Sequence, residues 1–277
     1  MTERLTTNEL KRIAETKQTI HDATEDLRFD EGTHTYHLGA RILTCVSDIV
    51  ETLSRPFDEE KEAARCSANP KSAWGGMDVK DILQAWRAKK DQAESLGTKT
   101  HAYAETLFAC WHAGKPFGKP QTAQQEACLR WWRDLDPGRW IPIMKETPLC
   151  DPVRGCAGTP DLILYDRQTG RFAIRDWKTN ENLLKKAFAM MRPPLTYLPD
   201  NPVGHYTVQQ NLYAEMLIKI GVDIEDITLV WLRQDGQYTE MPLKLITSAV
   251  AKAADVALSK YRKTIICQLP PSEDGSL

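Results

Sequence analysis

The stretch "AGTPDLILYDRQTGRFAIRDWKTN", residues 157–180, decides how this chain is read. Two apolar runs, 159–165 and 171–177, carry the aliphatic and aromatic residues of strands, and the "DRQTG" between them suits an antiparallel turn. Counting back from that turn, Asp161 falls opposite about residue 175. Its carboxylate can therefore meet that of Asp176 at the open end of the hairpin, especially if a bulge adjusts the register. Strand alternation puts Asp176 and Lys178 on one face. Adjacent carboxylates repel, and a run as apolar as "DLILY" seldom holds an acid without a partner. A divalent cation resolves the conflict: Mg²⁺ binds through one or two carboxylates plus water and phosphate, polarises a phosphorus centre and acidifies water, and Lys178 can orient that water or offset developing charge. The spacing serves equally well for a plainer arrangement, in which both acids merely end the hairpin and Lys178 pairs with one of them at the surface.

Outward from the hairpin the pattern alternates between periods. Upstream, residues 1–27 read as an amphipathic helix with Leu10, Ile13 and Ile20 on its apolar side, and residues 29–53 as a hairpin around Gly39 followed by a helix from about Ser47. Residues 56–76 are less regular. From Asp78 to Trp111 the pattern is helical, with an expected break at "SLGTKT", where Gly97 ends one helix and Thr98 or Thr100 caps the next. Residues 121–137 form a helix stopped by Pro137, and "WIPIMKETPLC" (140–150) is a third strand beside the hairpin. Downstream we expect a helix over 181–191 and a Pro-rich loop to Gly204. A strong helix over 205–221, a β-hairpin turning at Asp235-Gly236, a last helix over 246–264 and a disordered tail from Pro270 follow.

Hydrophobic residues at 42% and charged residues at 27% match an ordinary globular chain, which argues against wholesale disorder. No apolar run approaches the ~18 residues of a membrane helix, and "MTERLTTNEL" lacks the apolar core of a signal peptide, so no membrane partner and an intracellular, cytoplasmic location are expected. A net charge of -2 supplies no global basic field, so nucleic-acid contacts must come from local patches. The seven cysteines include no C-x-x-C pair, which removes a zinc ribbon or disulfide framework.

The motifs taken together resemble the PD-(D/E)XK nuclease superfamily, and its RecB-like exonuclease branch in particular. Pro160-Asp161 stands where that family has its first acid, and Asp176-Trp177-Lys178 fits its (D/E)-x-K signature. "GTKTH" (97–101) is similar to the G-x-x-x-H motif, whose histidine ligates metal, and Gln209 with Tyr213 matches the Q-x-x-x-Y motif. "HTYHLGARILTCVSDIV" (34–50) resembles the hairpin and helix preceding the core in phage and mitochondrial members. The likeness spans roughly residues 34–240, and only the four short motifs are specific.

The resemblance implies an α/β restriction-endonuclease-like core, a central mixed sheet flanked by helices. Residues 1–30 would be an N-terminal helical extension, 31–265 the nuclease domain and 266–277 a flexible tail. It implies Mg²⁺ or Mn²⁺ held by His101, Asp161, Asp176 and the Trp177 carbonyl, with Glu146 as a further acid ranked below the others. Lys178 would assist a water, and Gln209 and Tyr213, one turn apart on a helix, would hold a phosphate or stack on a base. Lys185, Lys186 and Arg192 would contact the DNA backbone from the helix over 181–191. Some members of the branch hold an iron–sulfur cluster through one early cysteine and a late C-x₂-C-x₅-C group. Here Cys267 is the only cysteine after Tyr213, while Cys150 and Cys156 precede the hairpin, so no iron–sulfur cluster is expected. No Walker loop is present, which makes any helicase or recombination partner a separate protein. The implied activity is hydrolysis of DNA, single-stranded or at a duplex end, by an exonuclease leaving 5′-phosphates in replication, recombination or repair. Phage origin and a bacterial host cytoplasm fit that reading. A structure-specific endonuclease and a non-catalytic DNA- or partner-binding module are its rivals. The imidazole of His101 stands followed by Ala104, Glu105 and Phe108, and Glu105 reads as an ordinary solvated acid or an orienting acceptor. Of Trp131 and Trp132, adjacent on their helix, one is expected in the core and one partly exposed.

Overall fold

A computed structural model describes residues 4–268, with side chains through residue 260. The chain begins with helix α1 (Thr7–Thr24), whose first turn is closed by a reciprocal box between Thr6 and Glu9. Three short strands follow, β1 (Leu27–Asp30), β2 (Thr35–Leu38) and β3 (Arg41–Cys45), with the β2–β3 turn at Gly39 in the left-handed region, φ 58°. Helices α2 (Val46–Leu53), α3 (Glu59–Ala68), α4 (Val79–Ala113) and α5 (Ala123–Asp134) lead to β4 (Trp140–Lys145), β5 (Leu149–Asp151) and β6 (Cys156–Gly158). The hairpin β7 (Leu162–Asp166) and β8 (Phe172–Lys178), helix α6 (Pro202–Lys219), strands β9 (Ile224–Leu232) and β10 (Tyr238–Pro242) and helix α7 (Thr247–Gln268) complete the chain.

This is a mixed α/β architecture, but the strands form two five-stranded mixed sheets where one was expected, ordered β1-β2-β3-β6-β5 and β10-β9-β8-β7-β4. The chain crosses between them at Thr159-Pro160-Asp161, so the strand expected from 159 begins only at Leu162, β6 before it was not expected, and the strand expected over 140–150 is divided into β4 and β5. Pro160 has no N–H to extend a ladder through the crossing. Within the sheets β3–β6 and β8–β9 pair parallel and every other pair is antiparallel.

The second sheet is covered on both faces, which explains its unbroken apolar runs. Along β7, Ile163 and Tyr165 enter a core shared with α2, α6 and α7, while Leu162 and Leu164 enter one shared with α4 and α5. Helix α1 adds Ile13 and Ile20 to the first core, and its Glu9 meets Arg167 in the β7–β8 turn at 2.7 Å. The expected boundary at residue 30 falls at the end of β1, inside a hairpin with β2, so α1 and the strands after it are not separable there.

Three further expectations are corrected. First, α4 is continuous through "SLGTKT": the Thr98 and Thr100 hydroxyls bond back to the Glu94 and Leu96 carbonyls instead of capping a new helix. Second, residues 181–191 form no helix. Leu184 and Phe188 have helical spacing but face solvent, and the burial of Leu183 and Met191 in the core overrides that periodicity. Third, Trp131 and Trp132 are both buried, in the core that α5 shares with α4 and the second sheet. The Trp131 indole N–H donates to Glu240 at 2.7 Å. Residues 269–277 of the expected tail lie outside the described residues, as does the Cys267 side chain. No helix among the described residues is long and apolar enough to cross a membrane.

Candidate metal centre

The β7–β8 register pairs Leu162 with Arg175, one step from placing Asp161 beside Asp176 at the open end of the hairpin. Asp161 Oδ2 accepts the Trp177 N–H at 2.7 Å, and Asp161 is only 7% exposed. From the other side α4 brings the His101 ring, its Nδ1 3.5 Å from Asp161 Oδ1 and 3.3 Å from Glu146 Oε1. Donor atoms of His101, Glu146 and Asp161 all lie within 4.8 Å of one another. One imidazole and two carboxylates make a donor set that suits Mg²⁺ or Mn²⁺.

Glu146, ranked below the other acids from sequence, is one of these three donors, linked to Asp161 through His101 Nδ1. It follows a register shift in β4 between Pro142 and Met144, and its backbone is left-handed with φ 38°. Its N–H is tied to the Asp161 carbonyl at 2.9 Å, and the next N–H, of Thr147, to the Pro160 carbonyl at 3.3 Å. A non-glycine residue in that conformation costs about 1 kcal/mol, and such strain collects at functional positions. Glu105 pairs with Lys145 and does not orient His101.

Asp176 departs from the expected ligand set. It lies beside the three donors, but its Oδ1 accepts the Gln210 Nε2–H at 2.6 Å and its Oδ2 pairs with Lys178 Nζ. Lys178 in turn lies 4.3 Å from the Tyr206 ring centroid. Asp176 Oδ2 has this ammonium in close contact and no other partner among the described residues. Burial, then the charge of Asp176, pushes the Asp161 carboxyl up from its ordinary range. Asp161 raises the His101 imidazole to about 9, against the opposing effect of burial and with help from Glu146. Burial pulls the Lys178 ammonium down, yet Asp176 and its neighbours outweigh it and hold Lys178 well above the usual value. The acids therefore draw positive charge to this spot, which is what a cation site requires.

The remaining predicted residues divide. Gln209 Nε2 donates to the Tyr213 hydroxyl at 3.1 Å, as their spacing implied. Tyr213 is only 4% exposed and its ring packs on Gly158, where an added Cβ would come within 2.5 Å, so it buttresses the crossing at Thr159 and has no face for stacking on a base. Lys185 lines a cleft of about 770 Å³ together with His101, Lys178, Tyr206 and Asn180. Lys186 is exposed, on a loop and not a helix. Arg192 turns instead toward α2, with Nη1 3.5 Å from the Thr52 carbonyl. The Trp177 indole is buried against Trp131, with centroids 4.9 Å apart. Gln210 was missed. Its signal was a row of polar residues, Thr207, Gln210 and Asn211, on an otherwise apolar buried helix face, where each must find a partner.

Comparison with known proteins gives no family model that matches this chain and no curated protein that matches it.

Proposed function

We propose that this chain is a metal-dependent deoxyribonuclease on a restriction-endonuclease-like core, an exonuclease that hydrolyses phosphodiesters to leave 5′-phosphates. The observation that carries the reading is the convergence of His101 from α4, Glu146 from the end of β4 and Asp161 from the head of β7, next to the Lys178–Asp176 pair. His101, Glu146 and Asp161 would hold Mg²⁺ or Mn²⁺ with the Trp177 carbonyl, while Asp176 stays paired with Lys178. A divalent cation there supplies neutralisation of the phosphodiester and acidifies water.

The chain's own groups supply the rest. Lys178 keeps its proton and presents a fixed ammonium to the cleft, where it orients the attacking water and offsets charge that develops on phosphorus oxygens. Gln210 holds Asp176 in place from beneath, so the carboxylate that steers Lys178 does not swing. Tyr206 backs the ammonium with its ring. Lys185, on the cleft wall, places positive charge where a DNA backbone enters. Any unwinding motor would be a separate partner.

End-labelled linear DNA, single-stranded and duplex, is incubated with Mg²⁺, Mn²⁺ or EDTA, beside a covalently closed circle. Metal-dependent release of 5′-phosphorylated products from linear DNA alone is the expected result. Cutting of the circle would make the enzyme an endonuclease, and a stable complex without products would make the chain a binding module.

A further inference from the structure

Asn180 stands two residues beyond Lys178, just past the end of β8, on the wall of the cleft that holds His101 and Lys178. An asparagine side chain carries an acceptor oxygen and a donor nitrogen, so bonding one end fixes where the other points. Here the oxygen is taken. The Tyr206 hydroxyl donates to Asn180 Oδ1 at 2.9 Å, and the Trp231 indole N–H donates to the Asn180 main-chain carbonyl at 2.8 Å. Side chain and backbone are therefore both held, one from α6 and the other from β9. The ring that supplies the hydroxyl belongs to the same constellation, since Lys178 Nζ lies 4.3 Å from its centroid.

What remains is the amide nitrogen. Asn180 is half-buried, and its Nδ2 has no hydrogen-bond partner among the described residues. A donor whose acceptor end is locked, on the wall of an open cleft, is arranged for a group that enters. The carboxylates on that wall are engaged elsewhere, Glu181 with Lys89 at 2.8 Å and Glu94 with Lys90 at 3.9 Å, while Lys185 has no acid partner among the described residues. A neutral donor beside cations suits an anionic oxygen, because hydrogen bonds to an ionised acceptor are the stronger ones. Asparagine is among the side chains that bind the phosphates of nucleic acids.

We propose that the Asn180 amide donates to a non-bridging phosphate oxygen of the strand bound in the cleft, with Tyr206 as the clamp that aims it. This rests on the nuclease reading above and adds a substrate contact from a residue outside its motifs.

Two substitutions in the full chain separate that role from a structural one. Asn180→Asp keeps an oxygen for the Tyr206 hydroxyl and puts an anion where the donor was. Asn180→Ala removes both ends and leaves the backbone carbonyl bonded to Trp231. If the side chain only held Tyr206, Ala would be the worse variant; if it donates to phosphate, Asp is the worse. Measured in Mn²⁺ on whichever linear DNA the wild type cuts, kcat/KM should fall about tenfold in Asn180→Ala, the size of one bond to a charged group, and further in Asn180→Asp. The loss should appear in KM, as for a contact made equally before and during the reaction, with circular dichroism unchanged. Should Asn180→Ala melt lower, Asn180→Asp decides alone, since it retains the Tyr206 bond. A wild-type kcat/KM for Asn180→Asp, a greater loss in Ala than in Asp, or a loss in kcat alone overturns the contact and leaves the nuclease reading standing. A loss confined to adenine-rich or thymine-rich strands assigns the amide to a base edge and overturns the phosphate contact as well. A wild type that cuts no DNA in Mg²⁺ or Mn²⁺ overturns the reading itself.

Discussion

Asp151 and Asp161 are both buried aspartates at strand ends, and their surroundings drive them in opposite directions. Asp151 accepts from the Val153 and Arg154 N–H groups at 3.1 and 3.0 Å and pairs with the side chains of Arg154 and Lys219. Arg154 passes on to Glu215 and Asp255, each at 2.8 Å. Burial pushes the Asp151 carboxyl up, but Lys219 and Arg154 outweigh it and hold it below the usual range. Asp161 has one backbone N–H and an imidazole, with a second aspartate beside it, and burial together with Asp176 pushes it up. Each cluster sets three acids against two cationic groups, so the tally does not separate them. What differs is that Asp151 is tied directly to the Arg154 and Lys219 side chains, which join α6, α7 and β5, whereas Asp161 meets an imidazole and one backbone N–H with a second aspartate beside it.

Perturbing one cluster should move activity and perturbing the other should move stability. The largest effect is expected for Lys178→Ala: cleavage of linear DNA should fall by about 10²–10⁴-fold while the circular dichroism spectrum stays native, as gel assays at saturating Mg²⁺ will show. Retention of normal rates would remove Lys178 from the chemistry. Next, Arg154→Met leaves Asp151 and Glu215 short of a buried partner and should cost about 3–5 kcal/mol in urea unfolding, with the rate per folded molecule unchanged. If it lowered activity without lowering stability, the division between the clusters would fail. Gln210→Met removes the donor beneath Asp176 and should slow cleavage about tenfold and cost about 1–3 kcal/mol, whereas Gln209→Met should leave Asp176 untouched.

Glu146→Gly sharpens the contrast at a single residue. It relieves a left-handed backbone and should raise stability by about 1 kcal/mol, while Mn²⁺ binding followed by titration calorimetry weakens. Stability and affinity falling together would show that the residue is not strained. The smallest effect is at Glu9, where the Arg167 hydrogen bond, with help from the Thr6 N–H, lowers the carboxyl from 4.5 to about 2. A folded-state pKa below the unfolded value means stability that is present above 4.5 and lost as pH falls toward about 2. The melting-point gap between wild type and Glu9→Gln should therefore close over that window and stay constant above it.

Much of the hairpin was readable from residues alone, because a turn and two apolar runs fix a register and alternation fixes faces. The participation of His101 was readable as well, but only from its place in an ordered set of motifs, since a histidine on a helix has no spacing that reveals a partner 45 residues away at Glu146. The rank of Glu146 was not readable, because its conformation is imposed by hydrogen bonds to Pro160 and Asp161 that form only once β4 and β7 are paired. The two-sheet division was hidden in the same way: "WIPIMKETPLC" reads as one strand until its two halves pair with β7 and β6 in different sheets. Thr98 and Thr100 misled because a threonine hydroxyl caps a new helix or bonds back within an old one, and neighbouring sequence does not choose between them.

The uninterrupted course of α4 has a mechanical meaning. Thirty-five residues at the rise of an α-helix make a rod of about 50 Å. Its C-terminal stretch is clamped in the core through Leu107, and its opening turns carry α3 and the contact between Trp74 and Trp86. His101 sits between these two arms with no joint on either side. The rod therefore fixes the position of His101 relative to both the core at one end and α3 at the other.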